Sequence, residues 1–173
     1  MRVSKPMRVS VLVGVAVLAG VLGVAMRAGG HCQIPCGIYD DPMRFDMMDE
    51  HVATIAKSIT EINTLSETLD ANNNQIARWV ANKDTHADEL AEIVTDYFLA
   101  QRIKPVSGPD DAGWDEYVEQ LIACHKILVA AMKAKQSADT ATTDALQETV
   151  DDFRELYLDE EEEAEELPAP AVD

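Results

Sequence analysis

The residues best suited to chemistry form one short stretch near the start of the chain, residues 31–39. It reads His-Cys-Gln-Ile-Pro-Cys-Gly-Ile-Tyr and contains two of the three cysteines, Cys32 and Cys36. Thiolates and imidazoles bind transition metals, and the proline and the glycine on either side of Cys36 favour a tight turn. A loop of this composition can wrap around a metal ion.

The segment before this stretch has the profile of a removable leader. Cationic residues precede an apolar run over residues 9–26 that contains no charge, as in secretory signal peptides. Ala28 and Gly30 supply the small residues that a signal peptidase inspects, so the predicted cleavage makes His31 the first residue of the mature protein. The run is also nearly long enough to span a bilayer, and an uncleaved membrane anchor is therefore the alternative.

Cleavage before His31 would add a new ligand, a free terminal amine. That amine, the imidazole of His31, the amide nitrogen of Cys32 and the thiolates of Cys32 and Cys36 could all reach one ion. Two nitrogens in a plane with two thiolates favour nickel(II) or copper, whereas a structural zinc would require four side-chain ligands. In an exported protein the two cysteines could instead form a disulfide.

Taken whole, the pattern His-Cys-x-x-Pro-Cys-Gly-x-Tyr at a processed N-terminus resembles the nickel hook of nickel superoxide dismutases. The resemblance implies one nickel ion per subunit, with His31, Cys32 and Cys36 as its ligands. It also implies that superoxide is converted to oxygen and hydrogen peroxide by Ni(II)/Ni(III) cycling, since anionic thiolate and amidate donors make nickel(III) accessible. Tyr39 would then order water or substrate beside the metal.

A second patch continues this resemblance. Asp96-Tyr97-Phe98 looks like the Asp-Tyr-Phe segment that the family carries at the end of its second helix, so Tyr97 would be the second tyrosine near the metal. The alternative is that Tyr97 and Phe98 are ordinary core residues, because both lie on an apolar stripe.

The family also holds the hook histidine with an acid early in the first helix and an arginine in the second. Asp46 is the best positional match for the acid. No clean counterpart of the arginine is found, and Lys83 and His86 are the candidates to replace it. The resemblance further implies a homohexamer.

Apolar residues recur at helical spacing in four segments and nowhere alternate with period two, which predicts an all-α protein and no sheet. The predicted helices cover residues 43–69, about 76–102, 114–136 and a last segment ending near Leu158, with a turn at residues 70–74 and a long connection at 102–113. Short connections within each pair predict an antiparallel four-helix bundle. On the third helix we expect an apolar face of Tyr117, Val118, Leu121, Cys124, His125, Leu128 and Met132.

The chain therefore divides into a leader (1–30), a hook (31–41), a bundle (42–158) and an acidic tail (159–173) predicted to be disordered. Its formal charge of −18 becomes more negative once the cationic leader is removed. Such a surface repels nucleic acid and anionic lipid, so we expect neither as a partner, and we expect an exported protein, periplasmic or extracellular. The competing hypothesis is an exported nickel- or copper-binding, or disulfide-bonded, helix bundle without turnover.

Overall fold

The computed structural model of the chain describes residues 33–166, which contain four long helices and no strand. The elements are α1 (Asp41–Ser66), α2 (Leu69–Glu92), a π-helical segment that continues α2 (Ile93–Arg102), α3 (Trp114–Gln136) and α4 (Ala141–Glu166). All of them belong to the second of two compact units, Pro35–Asp173. The predicted all-α fold is confirmed, while the predicted leader lies outside the described residues.

The helices form an antiparallel bundle in which consecutive helices are neighbours and α1 also packs on α4. The direction of α1 against α2 is visible in pairs that run in opposite senses along the two helices: His51 meets His86, and Ser58 accepts a hydrogen bond from Asn82. None of the helices within residues 33–166 is long and apolar enough to cross a membrane.

The predicted apolar stripes of α1 and α4 are confirmed as core. Most of the large side chains on these stripes are fully or almost fully buried: Met48, Val52, Ile55, Ile59, Ile62, Leu146, Val150, Phe153 and Tyr157. They repeat every three or four residues, which places them on one side of each helix.

The predicted face of α3 was partly wrong. Cys124 is buried, but His125 is exposed and the side chain of Met132 is 48% exposed. The buried side is instead rich in small residues, namely Ala123, Ala130, Ala131 and Ala134 together with Gln120, Cys124 and Ile127. Alanines allow neighbouring helices to approach closely. Because alanine is only weakly hydrophobic, the prediction followed the larger apolar residues and missed this face.

Two boundaries also differ from the sequence prediction. The turn predicted at residues 70–74 lies inside α2, and the chain instead turns at Glu67 and Thr68. There the amides of both turn residues donate to carbonyls at the end of α1. At the other end, the backbone stays helical to Glu166, so the predicted acidic tail begins as a continuation of α4; residues 167–173 lie outside the described part.

One end of the bundle is filled by aromatic rings from three elements. Phe45 of α1, Phe98 of the π-helical segment and Phe153 of α4 have ring centroids 4.9–5.4 Å apart, a spacing at which ring edges and faces attract. All three side chains are almost completely buried. The cluster fixes the first turn of α1 against the π-helical segment and α4.

Candidate functional site

The loop that leads into α1 contains the described part of the predicted hook. The amide of Ile38 donates to the carbonyl of Pro35 at 3.0 Å, and Gly37 has a φ of +83°. A positive φ at the third position of a four-residue turn is typical of a type II turn and favours glycine. Cys36 occupies the second position as a free, exposed thiol. His31 and Cys32 lie outside the described residues.

Asp41, the first residue of α1, is the centre of the polar network next to this loop. Asp40 caps the helix by accepting a hydrogen bond from the amide of Met43 at 3.1 Å, and Asp41 follows with its side chain only 3% exposed. A carboxylate in the first turn is favoured by the helix dipole. Burial of that charge nevertheless demands partners, because an isolated buried carboxylate is very costly.

Those partners lie far along the chain, in the π-helical segment and in α4. The Nε of Arg102 donates to the two carboxylate oxygens of Asp41 at 2.9 and 2.8 Å. The Nη2 of Arg102 also donates to Oδ2 of Asp41. The hydroxyl groups of Tyr97 and Tyr157 also donate to Asp41, the latter at 3.1 Å. The carboxylate thus joins α1, the π-helical segment and α4.

The π-helical segment explains how Tyr97 and Arg102 reach the same carboxylate. In an α-helix, residues five apart point about 140° away from each other. Here the amide of Ile103 donates to the carbonyl of Phe98 at 2.9 Å, the i to i−5 bond of a π-helix, which brings residues five apart onto one side. The side chains of Tyr97 and Arg102 therefore both face α1.

Tyr97 is held in its protonated form. Its hydroxyl donates to Asp41 and accepts from the amide of Asp40 at 3.0 Å. Burial, followed by the hydrogen bond to Asp41 and the charge of Asp41, raises the pKa of Tyr97 to about 12. Tyr97 is therefore a neutral hydrogen-bond donor at physiological pH.

Tyr39 covers this network and remains open to solvent. Its ring meets that of Tyr97 edge-on, with centroids 5.8 Å apart and an interplanar angle of 80°. The guanidinium of Arg102 stacks on it at 4.7 Å from the ring centroid. Its side chain remains 39% exposed. The structure thus brings together the two tyrosines, Tyr39 and Tyr97, that the sequence prediction places near the metal.

A second cation, Arg44, flanks the same tyrosine. Its guanidinium lies 4.7 Å from the centroid of the Tyr97 ring, and one of its terminal nitrogens contacts the sulfur of Met47 at 3.5 Å. Its Nε is buried without a hydrogen-bond partner. Each ring of the tyrosine pair is thus in contact with one guanidinium, Tyr97 with that of Arg44 and Tyr39 with that of Arg102.

Asp46, the positional match for the family's acid, and Lys83 and His86, the candidates to replace its arginine, do not contact the Asp41 network. Asp46 is exposed. Lys83 is buried and donates to the carbonyls of Ala134 and Lys135 at 2.9 and 2.5 Å, so it caps the end of α3. His86 contacts His51. His51 lies about 15 Å from Asp41 along α1, so His86 is far from the Asp41 network.

Cys124 is unsuited to metal binding or catalysis. It is fully buried in the core, and burial raises the pKa of its thiol to about 12. The thiolate is the form that binds metals and acts as a nucleophile, so Cys124 is a packing residue, as its place on the α3 stripe predicted.

Sequence reasoning missed Asp41, Arg102, Tyr157 and Arg44. The pattern Asp40-Asp41-Pro42 does mark a helix start, since a capping acid followed by proline is typical of the first turn. Nothing in the local sequence, however, pairs Asp41 with an arginine 61 residues later.

Comparison with known protein families identifies a match. A family model described as "Nickel-containing superoxide dismutase" matches residues 26–161, which covers the predicted hook, all of the tyrosine network and most of α4. Searches of curated proteins and of solved structures gave no match.

Proposed function

The chain belongs to the nickel-containing superoxide dismutases and is a nickel-dependent oxidoreductase, and we propose that its nickel is held at the hook by His31, Cys32 and Cys36. The hook converts superoxide and protons to oxygen and hydrogen peroxide. The observation that carries this proposal is the packing of Tyr39 on Tyr97 and Arg102, a few residues after the free thiol of Cys36.

The donor set fits nickel. Cys36 is exposed and free, the turn that contains it is closed by a backbone hydrogen bond, and the sequence adds the terminal amine and imidazole of His31 and the amide and thiolate of Cys32. Nitrogen and thiolate donors in a plane suit nickel(II). When bound, nickel supplies the one-electron exchange with superoxide, alternating between Ni(II) and Ni(III).

The residues around the hook attract superoxide and orient superoxide and water by hydrogen bonds. Superoxide is an anion and the protein is strongly acidic, so a local cation must attract it. Arg44, whose guanidinium lies over the Tyr97 ring, is that cation, because the charge of Arg102 is paired with Asp41. Tyr39 is exposed enough to hydrogen-bond water or superoxide, while Tyr97 keeps its proton and ties Tyr39 to the Asp41 network. Solvent ordered by Tyr39 delivers the two protons that form hydrogen peroxide.

Export and processing are part of the same proposal. The amine of His31 is a ligand only if the leader is removed between Gly30 and His31, and such a leader directs the protein to the periplasm or the medium. Intact mass of the exported protein is the measurement. A mature chain that retained any residue before His31, as a membrane anchor would, contradicts the proposed ligand set.

Assembly is proposed as a homohexamer. Several large apolar side chains are exposed on the single chain, among them Ile38 at 80%, Ile122 at 50% and Met132 at 48%. Contacts between subunits would remove such side chains from water. Sedimentation of the nickel-loaded protein tests the subunit number.

A pair of cysteine substitutions tests the site itself. Cys36→Ser replaces a soft anionic donor by a hard neutral one, so the processed variant should lose nickel and all dismutase activity. Cys124→Ser, the matched control, alters a buried thiol and should keep both. Full activity in Cys36→Ser would contradict the hook, and nickel binding without superoxide turnover in the wild type would favour the metal carrier.

A further inference from the structure

A second group of metal-ligand atoms lies between α1 and α2. The Nδ1 atoms of His51 and His86 are 2.9 Å apart, and a carboxylate oxygen of Glu89 is 3.6 Å from the first and 3.3 Å from the second. His51 belongs to α1, and His86 and Glu89 lie one turn apart on α2. Three ligand atoms on two packed helices thus converge on one point.

The spacing of these atoms is close to that of a tetrahedral metal site. Zinc binds imidazole nitrogen and carboxylate oxygen at about 2.0–2.2 Å, so two ligands at the tetrahedral angle are roughly 3.3–3.5 Å apart. The three observed separations, 2.9, 3.3 and 3.6 Å, bracket that distance. Shifts of a few tenths of an ångström would complete the geometry, and side-chain rotation provides them without moving either helix.

Protons alone satisfy this group poorly. Each neutral imidazole carries one proton and the carboxylate carries none. When one Nδ1 donates to the other, the accepting nitrogen has no proton to offer Glu89, so its lone pair lies beside a carboxylate oxygen 3.3 or 3.6 Å away. A cation at the centre would accept an electron pair from all three atoms at once.

Access and rigidity also suit a metal site. The side chains of His51, His86 and Glu89 are 13%, 27% and 47% exposed, so the histidines are mostly enclosed while the carboxylate side is open to solvent. A water molecule can therefore supply the fourth ligand, as in zinc sites with three protein ligands. The position about 15 Å along α1 from Asp41 separates this group from the tyrosine network.

We propose that His51, His86 and Glu89 bind one divalent transition-metal ion of the zinc class, in addition to the nickel of the hook. Imidazole with carboxylate suits zinc and its neighbours in the first row. The ion links α1 to α2 near the middle of α1. This site requires neither a processed N-terminus nor Cys36, so it stands or falls independently of the proposed hook.

Zinc titration of the nickel-loaded protein tests the proposal. We expect one additional Zn²⁺ per subunit by metal analysis after gel filtration, with nickel content unchanged. His51→Gln and His86→Gln should each weaken Zn²⁺ binding by at least about 100-fold, since loss of a direct ligand exceeds the effect of losing an outer partner. His125→Gln removes an exposed histidine on α3 and is the matched control, for which we expect no change.

A second variant and a spectroscopic probe guard against loss of folding. Glu89→Gln alters a half-exposed side chain on the surface of α2 and should fold, yet it should weaken Zn²⁺ binding and change the visible spectrum of bound Co²⁺. Zn²⁺ should raise the melting temperature of the wild type and leave that of His86→Gln unchanged. Zinc stoichiometry that survives the double substitution of His51 and His86, or no zinc binding by folded wild type, overturns the site.

Discussion

The two polar clusters along α1 differ in how completely hydrogen bonds satisfy their atoms. At the Asp41 cluster, one carboxylate receives hydrogen bonds from Arg102, Tyr97 and Tyr157, so it has no capacity left for a ligand. At the His51 cluster, one proton is shared between the two imidazoles, and the Glu89 carboxylate oxygen faces the nitrogen that carries no proton. The Asp41 cluster positions the residues around it, whereas the His51 cluster has the lone pairs that a cation would bind. Convergence of polar atoms is therefore evidence for binding only where the atoms are not yet satisfied.

The largest effect that separates the clusters should come from Asp41→Asn. This change keeps the shape but removes the charge that pairs with Arg102, and breaking a buried ion pair costs about 3 kcal/mol of unfolding free energy or more. Metal-free His86→Gln, by comparison, should lose about 1 kcal/mol, the contribution of one neutral hydrogen bond. Urea denaturation of both apoproteins is the measurement, and equal losses would contradict the distinction between the clusters.

A matched pair of tyrosines sharpens the role of the first cluster. Tyr97→Phe and Tyr157→Phe each remove one hydroxyl that donates to Asp41, and Tyr157→Phe should lower the unfolding free energy by about 1 kcal/mol. Tyr97→Phe should lower it by about 2 kcal/mol, because the Tyr97 hydroxyl also accepts from the amide of Asp40. Only Tyr97 contacts the ring of Tyr39. Tyr97→Phe should therefore change superoxide turnover or anion inhibition, while Tyr157→Phe should not. Identical kinetics in the two variants would show that the cluster supports the fold alone.

Within the site, Tyr39→Phe should have a smaller effect than loss of a thiolate. The substitution keeps the ring that stacks on Arg102 and removes one hydroxyl from an exposed side chain, so nickel content and helicity should be unchanged. Activity should remain measurable with altered saturation by superoxide. Loss of nickel from this variant would mean that the hydroxyl helps to hold the metal.

The smallest effect concerns alkaline pH. Burial and Asp41 raise the pKa of Tyr97 from 10.0 to about 12, so the folded state binds this proton more tightly than the unfolded chain does. That stabilisation is complete below pH 10 and is lost as the pH rises towards 12. The stability difference between wild type and Tyr97→Phe should shrink across this interval in urea denaturation, and a constant difference would contradict the shift.

Local pattern determined much of this protein. Apolar residues at helical spacing predicted the stripes of α1 and α4, because burial of one face is a property of the helix itself. Pro35 and Gly37 predicted a tight turn, and the structure has one with a positive φ at Gly37. The hook pattern predicted the family to which the chain belongs, since the proposed ligands lie within a few residues of one another in the sequence.

Tertiary structure decided which distant residues meet. Asp41 and Arg102 are 61 residues apart and His51 and His86 are 35 apart, and neither pairing leaves a trace in local spacing. Lys83 interrupts an apolar stripe in the sequence, yet it is buried because the end of α3 offers it carbonyl groups. Asn72, Asn73 and Asn74 favour turns but lie in α2, since packing against α1 outweighs their weak preference. Periodicity fixes which side of a helix is apolar, whereas the partners of buried charges depend on how the helices are brought together.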